Sequence, residues 1–127
     1  MFRFSKKSLE RLETCHKDLQ TIAKLAIVSS PIDFGIAEGH RDLATQKKYY
    51  DEGKSQIDGI TKKGKHNYSP SLAFDYYAWV DGKVSYEMRH LGVIAGVMYA
   101  IAEDEGIEIE WGGLWKSFID GPHIQLK

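Results

Sequence analysis

The chain has little of what marks a disulfide-stabilised, membrane-spanning or nucleic-acid-binding protein. Cys15 is the only cysteine, which excludes an intrachain disulfide and a structural zinc site made of cysteines alone. No stretch approaches the ~20 apolar residues of a membrane span. With 17 basic and 18 acidic residues, the formal net charge is -1, so the concentrated basic surface of a general nucleic-acid-binding protein is not expected.

The amino-terminal residues also lack a targeting signal. Residues 1–7 are not followed by the apolar run, roughly 7 to 15 residues long, that forms the centre of a signal peptide. We therefore expect synthesis in a cytoplasm. At 127 residues, the length predicts one domain, residues 1–127, with a single hydrophobic core.

Helical and strand-like patterns alternate along this domain. Helices are predicted where apolar residues recur every three to four positions: from Ser8 to Ser29, from Leu43 to Asp51 after the cap Asp42, and from Tyr86 to Glu105 before Gly106. Strands are predicted where apolar and polar residues alternate: Ile32 to Glu38, Leu72 to Val80, Lys83 to Ser85, Ile107 to Trp111, and the tail from His123. Asp81-Gly82 is typical of a hairpin turn. These patterns predict an α+β fold, a small antiparallel sheet with helices packed on it.

Asp75 lies in the middle of one of these apolar strands, where a carboxylate is unexpected. Aspartate is depleted in strands and is almost never buried unless it is paired or binds a metal. His66 precedes it in a polar turn, and His123 offers a second imidazole near the carboxyl terminus. Catalytic zinc commonly takes three protein ligands from histidine and carboxylate and keeps a fourth position for water. The three residues supply such a set, although a hydrogen-bonded Asp75 with two unrelated histidines remains an alternative.

Two further residues complete a candidate catalytic group. Asp120 precedes His123 by three residues and is linked to it by a tight Gly-Pro pair, so its carboxylate is a candidate general base. Arg41 lies at a junction between strand and helix, where a guanidinium can bind a carboxylate or stabilise an oxyanion. The alternative is a surface arginine paired with Asp42 or Glu38. The segment from Lys54 to Tyr68 is polar and glycine-containing, which predicts a long surface loop.

These motifs resemble peptidase family M15, the zinc D-Ala-D-Ala carboxypeptidases and L-alanyl-D-glutamate endopeptidases, and especially its short phage endolysins. The resemblance covers most of the chain and is most specific in the closing motif. The matching segments are Gly39-His40-Arg41 with Gln46, Gly53-Lys54-Ser55, Lys65-His66, Ala73-Phe74-Asp75, Trp111-Gly112-Gly113, Trp115-Lys116-Ser117-Phe118 and Asp120-Gly121-Pro122-His123. One departure is the interval of nine residues between His66 and Asp75, where many members have seven.

The resemblance implies a Hedgehog/DD-peptidase-like fold and a zinc peptidase that cuts the L-Ala to D-Glu bond of peptidoglycan stem peptides. It implies that His66, Asp75 and His123 bind Zn²⁺, that Asp120 is the general base, and that Arg41 steadies a substrate carboxylate or the tetrahedral intermediate. A D,D-carboxypeptidase and a non-catalytic zinc-containing binding module remain alternatives. We expect a monomer, made in the cytoplasm of an infected bacterium, that reaches the cell wall after holin-type release, binds no nucleic acid and has no membrane span.

Overall fold

The computed structural model describes residues 1–55 and 64–127. Within these residues, four α-helices and five β-strands follow one another along the chain. In chain order they are α1 (Lys6–Leu12), α2 (Lys17–Ser29), β1 (Asp33–Glu38), α3 (Leu43–Asp51), β2 (Ala73–Val80), β3 (Lys83–Ser85), α4 (Met88–Glu105), β4 (Ile109–Trp111) and β5 (His123–Leu126). Among the helices described, none is both long and apolar enough to cross a membrane.

The strands form one antiparallel sheet in the order β1-β2-β5-β4, with β3 paired to the far end of β2. The longest strand, β2, is central: β1 runs along one side of it, and β5 and β3 share the other side. In this register Asp75 faces His123 across the β2–β5 pair. The architecture confirms the predicted α+β fold.

One face of the sheet and the long helices α2 and α4 enclose the hydrophobic core. The β2 side chains Phe74, Tyr76 and Ala78 have no exposed surface, in agreement with the alternation in the sequence. The buried hydroxyl of Tyr76 donates to the carbonyl of Leu91 on α4, at 2.7 Å, so its burial leaves no unsatisfied donor. The opposite face of β2 carries Asp75 and remains partly open.

The prediction of one helical region from Ser8 to Ser29 is wrong in one respect, because the chain breaks between α1 and α2. Cys15 lies in the break and forms a parallel bridge with Ser71. The amide of His16 donates to Ser71 O at 2.8 Å, and the amide of Ser71 donates to Thr14 O at 2.9 Å. His16 then caps α2, because its Nδ1 accepts from the amide of Asp18. The apolar spacing continues across the break, so the sequence pattern does not indicate that the helix is interrupted.

Other local predictions are confirmed. Asp42 caps α3 by accepting from the amide of Thr45 at 2.7 Å, and Gly106 ends α4 in the left-handed region with φ 69°. The hairpin turn has φ 53° at Asp81 and 76° at Gly82, as a type I′ turn requires.

The predicted surface loop from Lys54 to Tyr68 is wrong at its carboxyl-terminal end. His66 and Asn67 are buried in a short 3-10 turn rather than exposed on the surface. The side-chain oxygen of Asn67 accepts from the amide of Gly64 at 2.8 Å, and its nitrogen donates to Arg41 O at 3.0 Å. Residues 56–63 of the predicted loop lie outside the described residues.

Candidate active site

Three side chains that are far apart in the sequence meet at the edge of the core. Nε2 of His66 lies 3.1 Å from Oδ1 of Asp75, and Nδ1 of His123 lies 3.3 Å from the same oxygen. The candidate ligand atoms of the three residues are all within 4.8 Å of one another. The sheet register places Asp75 beside His123, and the buried 3-10 turn supplies His66.

The nine-residue interval between His66 and Asp75 is anchored rather than loose. Ser71 within it is fully buried and is bonded to the break between α1 and α2. The amide of Leu72 donates to Lys65 O at 3.0 Å, which closes the turn immediately before β2. The longer interval therefore still brings both side chains to one point.

In each histidine, the ring nitrogen that points away from Asp75 forms a hydrogen bond. This bond determines which nitrogen carries the proton in the neutral ring. Nδ1 of His66 lies 2.8 Å from the carbonyl oxygen of Gly39, which can only accept, so Nδ1 carries the proton. Nε2 of His123 lies 2.8 Å from Oε1 of Gln125. The amide nitrogen of Gln125 donates to Glu110 at 2.9 Å, which fixes Oε1 as the acceptor from His123. In the neutral form of both rings, the nitrogens that face Asp75 are lone-pair donors.

Three acceptor atoms thus converge without a hydrogen between them, an arrangement that needs a positive charge. Burial by itself would raise the pKa of the Asp75 carboxyl, but the adjacent His66 and His123 hold it well below its usual range. Burial lowers the pKa of His123, and the hydrogen bond and charge of Asp75 more than reverse this, so the net shift is upward. Both shifts describe an ionised Asp75 that favours positive charge beside it. The residues could hold a metal.

Arg41 adjoins this cluster with a guanidinium that is nearly buried. Its Nη2 lies 3.4 Å from Oδ2 of Asp75, and its Nη1 donates to Gln46 Oε1 at 2.9 Å. Nε donates to Glu38 at 2.8 Å, and the ring of Tyr49 lies 4.7 Å below the guanidinium carbon. The arginine therefore pairs with Glu38, as one alternative from the sequence has it, but it is nearly buried rather than on the surface, and it also contacts the carboxylate of Asp75.

Asp120 lies on the other side of the cluster. Its Oδ2 is 4.0 Å from Nδ1 of His123, and its amide donates to Gly112 O at 2.9 Å. A side chain on Gly112 would collide with the Asp120 backbone, so the glycine permits this close approach. Burial raises the pKa of the Asp120 carboxyl, and the negative charge of Asp75 raises it further.

These residues line one open cavity of about 710 Å³. His66, Asp75, His123, Asp120 and Arg41 all contribute to its wall, so the fold brings together every site residue that the sequence singles out. The Trp115 ring packs against the His123 ring with the centroids 5.2 Å apart.

The comparisons with known proteins agree with this arrangement. Residues 1–127 match the family of phage L-alanyl-D-glutamate peptidases. The chain belongs to this family. It is 26% identical to the L-alanyl-D-glutamate peptidase of Escherichia phage T5 over 137 aligned positions, which cover 98% of each protein. It is 30% identical to the peptidoglycan L-alanyl-D-glutamate endopeptidase CwlK of Bacillus subtilis strain 168, over 81% of the chain and 66% of CwlK.

A solved structure shows the same fold. The crystal structure of the Serratia marcescens L-Ala D-Glu endopeptidase ChiX superposes with a TM-score of 0.87 and 36% sequence identity. The match covers 99% of this chain and 90% of ChiX. Membership of the family makes the chain a peptidase.

Two supporting residues of this peptidase were not predicted from the sequence. Gln125 on β5 accepts a hydrogen bond from His123, and Glu110 on β4 accepts one from Gln125. Glu38, which holds Arg41, was one of the partners that the sequence offered. Gln125 could have been found, because it lies two residues after His123 on one strand face. Glu110 could not, because its contact depends on the cross-strand register of β4 and β5.

Proposed function

We propose that this peptidase is zinc-dependent and hydrolyses the L-Ala to D-Glu bond of peptidoglycan stem peptides, with residues 1–127 acting as one catalytic domain. The observation that carries the proposal is the convergence of the candidate ligand atoms of His66, Asp75 and His123, all within 4.8 Å of one another, beside the carboxylate of Asp120. The named activities of the T5, CwlK and ChiX relatives support the choice of bond.

The ligand atoms fit zinc in kind and in spacing. Zinc binds imidazole nitrogen and carboxylate oxygen at about 2.0 to 2.2 Å in tetrahedral geometry, which separates two ligand atoms by roughly 3.3 to 3.6 Å. The separations of 3.1 and 3.3 Å from Asp75 to the two histidines lie close to that range. When bound, zinc supplies a water of lowered pKa and polarises the carbonyl of the scissile bond.

Asp120 is the proposed general base. Its carboxylate faces the same cavity, and its Oδ2 lies 4.0 Å from Nδ1 of His123, beyond hydrogen-bond distance, so this oxygen is available for a water proton. Its raised pKa makes it a better proton acceptor than an ordinary aspartate. The same carboxyl group is then placed to return the proton to the leaving amine of D-Glu.

Arg41 is proposed to stabilise negative charge in the site. Its guanidinium is held by Glu38 and Gln46 and lies against Asp75, so it contributes a fixed positive charge close to where the tetrahedral intermediate forms. Fixed charges of this kind require no reorganisation during the reaction.

The activity is tested by incubating the purified protein with peptidoglycan and identifying the new termini by mass spectrometry. A free D-Glu amino terminus that disappears with a chelator and returns with zinc is the expected result. Release of D-Ala would instead indicate a D,D-carboxypeptidase. Zinc binding without any new terminus would indicate a non-catalytic module.

Replacement of Asp120 by asparagine tests its role as the base. The change keeps the shape of the side chain but removes the proton acceptor, so we expect kcat to fall by about 10²- to 10⁴-fold. Zinc stoichiometry, measured by elemental analysis, should remain that of the unaltered protein. Retention of full activity by Asp120→Asn would refute the assignment.

We further propose that the protein is a phage endolysin that degrades the wall during host lysis. Its family membership supports this role. In that setting it is made in the cytoplasm of the infected bacterium, reaches the wall through a holin-type lesion, and acts as a monomer on the stem peptide.

A further inference from the structure

The face of β2 that carries Asp75 continues into a row of partly or largely exposed side chains, three of which are aromatic. Tyr77 and Trp79 follow Asp75 at two-residue intervals, so their side chains leave the sheet on the same side. Val84 is the cross-strand partner of Trp79, and Tyr86 follows it. Trp79 is 45% exposed, Val84 47% and Tyr86 54%. We call these four residues the aromatic surface.

This surface joins the catalytic cavity without a break in the sheet. The Tyr77 ring lies directly over the backbone of Gly35, where any side chain would collide with it. Ala37, two positions further along β1, already lines the catalytic cavity.

A second cavity of about 240 Å³ lies beside Tyr77 and Trp79, on the β1 side of the aromatic surface. Tyr77 and Trp79 form its aromatic side, and Arg3, Ser5 and Asp33 contribute charged and hydroxyl groups. An amino sugar needs such a combination, because its C–H faces stack on aromatic rings while its hydroxyl and amide groups require hydrogen-bond donors and acceptors.

Positive charge lies on the opposite side of Asp75. Arg41, Lys54 and Lys65 line the catalytic cavity, and the bond from Leu72 to Lys65 O places this lysine beside the start of β2. In the proposed substrate the carboxylates belong to D-Glu, whereas the other neighbour of L-Ala is a sugar. Arg41 and Lys54 form ion pairs with Glu38 and Glu52, so Lys65 is the cation that we assign to this end of the substrate. Lys65, beside the start of β2, and the aromatic surface, toward its carboxyl-terminal end, therefore match the two ends of the substrate.

The distance from the scissile bond to the sugar also agrees with the spacing of the residues along β2. One residue, L-Ala, and a lactyl ether separate the scissile bond from the sugar ring, a distance of about 7 Å if each extended unit spans roughly 3.5 Å. Strand residues two apart are separated by about 6.8 Å, so Tyr77 lies about 7 Å from Asp75 and Trp79 about 14 Å.

We propose that the aromatic surface binds the glycan strand to which the stem peptide is attached, with the peptide-bearing sugar at Tyr77 and Tyr86 and the next sugar at Trp79. The inference rests on the proposed function, since it takes the direction of the substrate from the L-Ala to D-Glu bond. In this proposal the sugar binds to the same sheet that carries the catalytic cavity.

Two substrates that share one peptide test the proposal. The first is a stem tripeptide capped with a lactyl group, and the second is the same peptide on a disaccharide of N-acetylglucosamine and N-acetylmuramic acid. We expect the unaltered protein to prefer the sugar-linked peptide, and Trp79→Ala and Tyr86→Ala to lower kcat/KM on that substrate by about fivefold to tenfold each. The ratio of the two kcat/KM values should fall accordingly, and Trp79→Phe should restore most of it.

Tyr50→Ala is the matched control, because Tyr50 is a 46% exposed tyrosine on α3 that lines neither cavity. The ratio of kcat/KM on the sugar-linked peptide to kcat/KM on the capped peptide should be the same in Tyr50→Ala as in the unaltered protein. An equal loss on both substrates in Trp79→Ala, or no preference of the unaltered protein for the sugar-linked peptide, would overturn the proposal.

A binding measurement separates this inference from the proposed function. Isothermal titration with a peptide-free tetrasaccharide of the same glycan should show millimolar or tighter binding that Trp79→Ala weakens. Absence of binding, or binding that Trp79→Ala leaves unchanged, contradicts the glycan assignment even if the peptide is cut. Binding with no cleavage of either peptide supports the surface and refutes the peptidase activity.

Discussion

The two faces of β2 are made of alternating residues and have opposite roles. Phe74, Tyr76 and Ala78 point into the core and are fully buried. Asp75 and Tyr77, between them, leave the opposite face, where Asp75 lines the catalytic cavity beside the cross-strand His123 and Tyr77 lines the second cavity. Residues on one face pack in the hydrophobic core, and residues on the other face line the two cavities. Neighbouring residues of β2 therefore contribute to stability and to the candidate site in turn.

The largest expected effect comes from Asp75→Ala on the site face. It removes the oxygen to which both histidines are directed, so one of the three proposed zinc ligands is lost. We expect zinc binding to disappear and hydrolysis to fall by at least about 10³-fold, since a metal that polarises the carbonyl supplies several kcal/mol. Equilibrium dialysis and the peptide assay measure the two quantities.

The control for Asp75→Ala is Glu103→Ala, which removes an exposed carboxylate from α4 on the other side of the molecule. It should bind one zinc ion and retain its activity. Stoichiometric zinc in Asp75→Ala would contradict the assignment of Asp75 as a ligand.

The second-largest effect is expected for Phe74, one residue before Asp75 and on the core face of β2. Phe74→Ala opens a cavity among fully buried side chains and should lower the free energy of unfolding by about 3 to 5 kcal/mol. The remaining folded molecules should still bind zinc in the original ratio, because the ring of Phe74 lies on the side away from the ligands. Urea denaturation and zinc analysis of the folded fraction test this. Loss of zinc with unchanged stability would break the distinction between the two faces.

Local patterns were predictable because each depends on nearby residues. The alternation of β2, the Asp42 cap and the Asp81-Gly82 turn follow from neighbours in the chain. Asp75 could be recognised as a site residue because it violates the pattern around it. A residue that agrees with its local pattern gives no such signal.

Features that depend on tertiary contacts were not predictable in the same way. The break before α2 arises because Cys15 pairs with Ser71, which is 56 residues away in the chain. The cap of α2 was also not predictable, because histidine is not among the usual helix caps. The role of Glu110 arises from the register between β4 and β5. Resemblance to a family supplied the ligand set, but it did not include the hydrogen bonds that orient the ligands.

The smallest expected effect concerns Gln125, which lies on the site face of β5 but does not belong to the metal cluster. Its oxygen accepts from Nε2 of His123, so Gln125→Leu leaves that N–H without its partner and frees the ring to adopt the other tautomer. Removal of such a hydrogen bond typically costs about 10- to 100-fold in metal affinity. Activity should recover at high zinc concentration, which distinguishes this residue from a ligand.

The neighbouring Ile124 provides the matched comparison on the core face. Ile124→Val should lower the free energy of unfolding by about 0.5 to 1.5 kcal/mol and leave zinc affinity unchanged. Competition with a chromophoric chelator measures affinity for both variants, and thermal unfolding measures their stability. If Gln125→Leu binds zinc as tightly as the unaltered protein, the orientation of His123 is set by the sheet alone. If Ile124→Val weakens zinc binding as much as Gln125→Leu, core packing rather than the hydrogen bond positions the ligand.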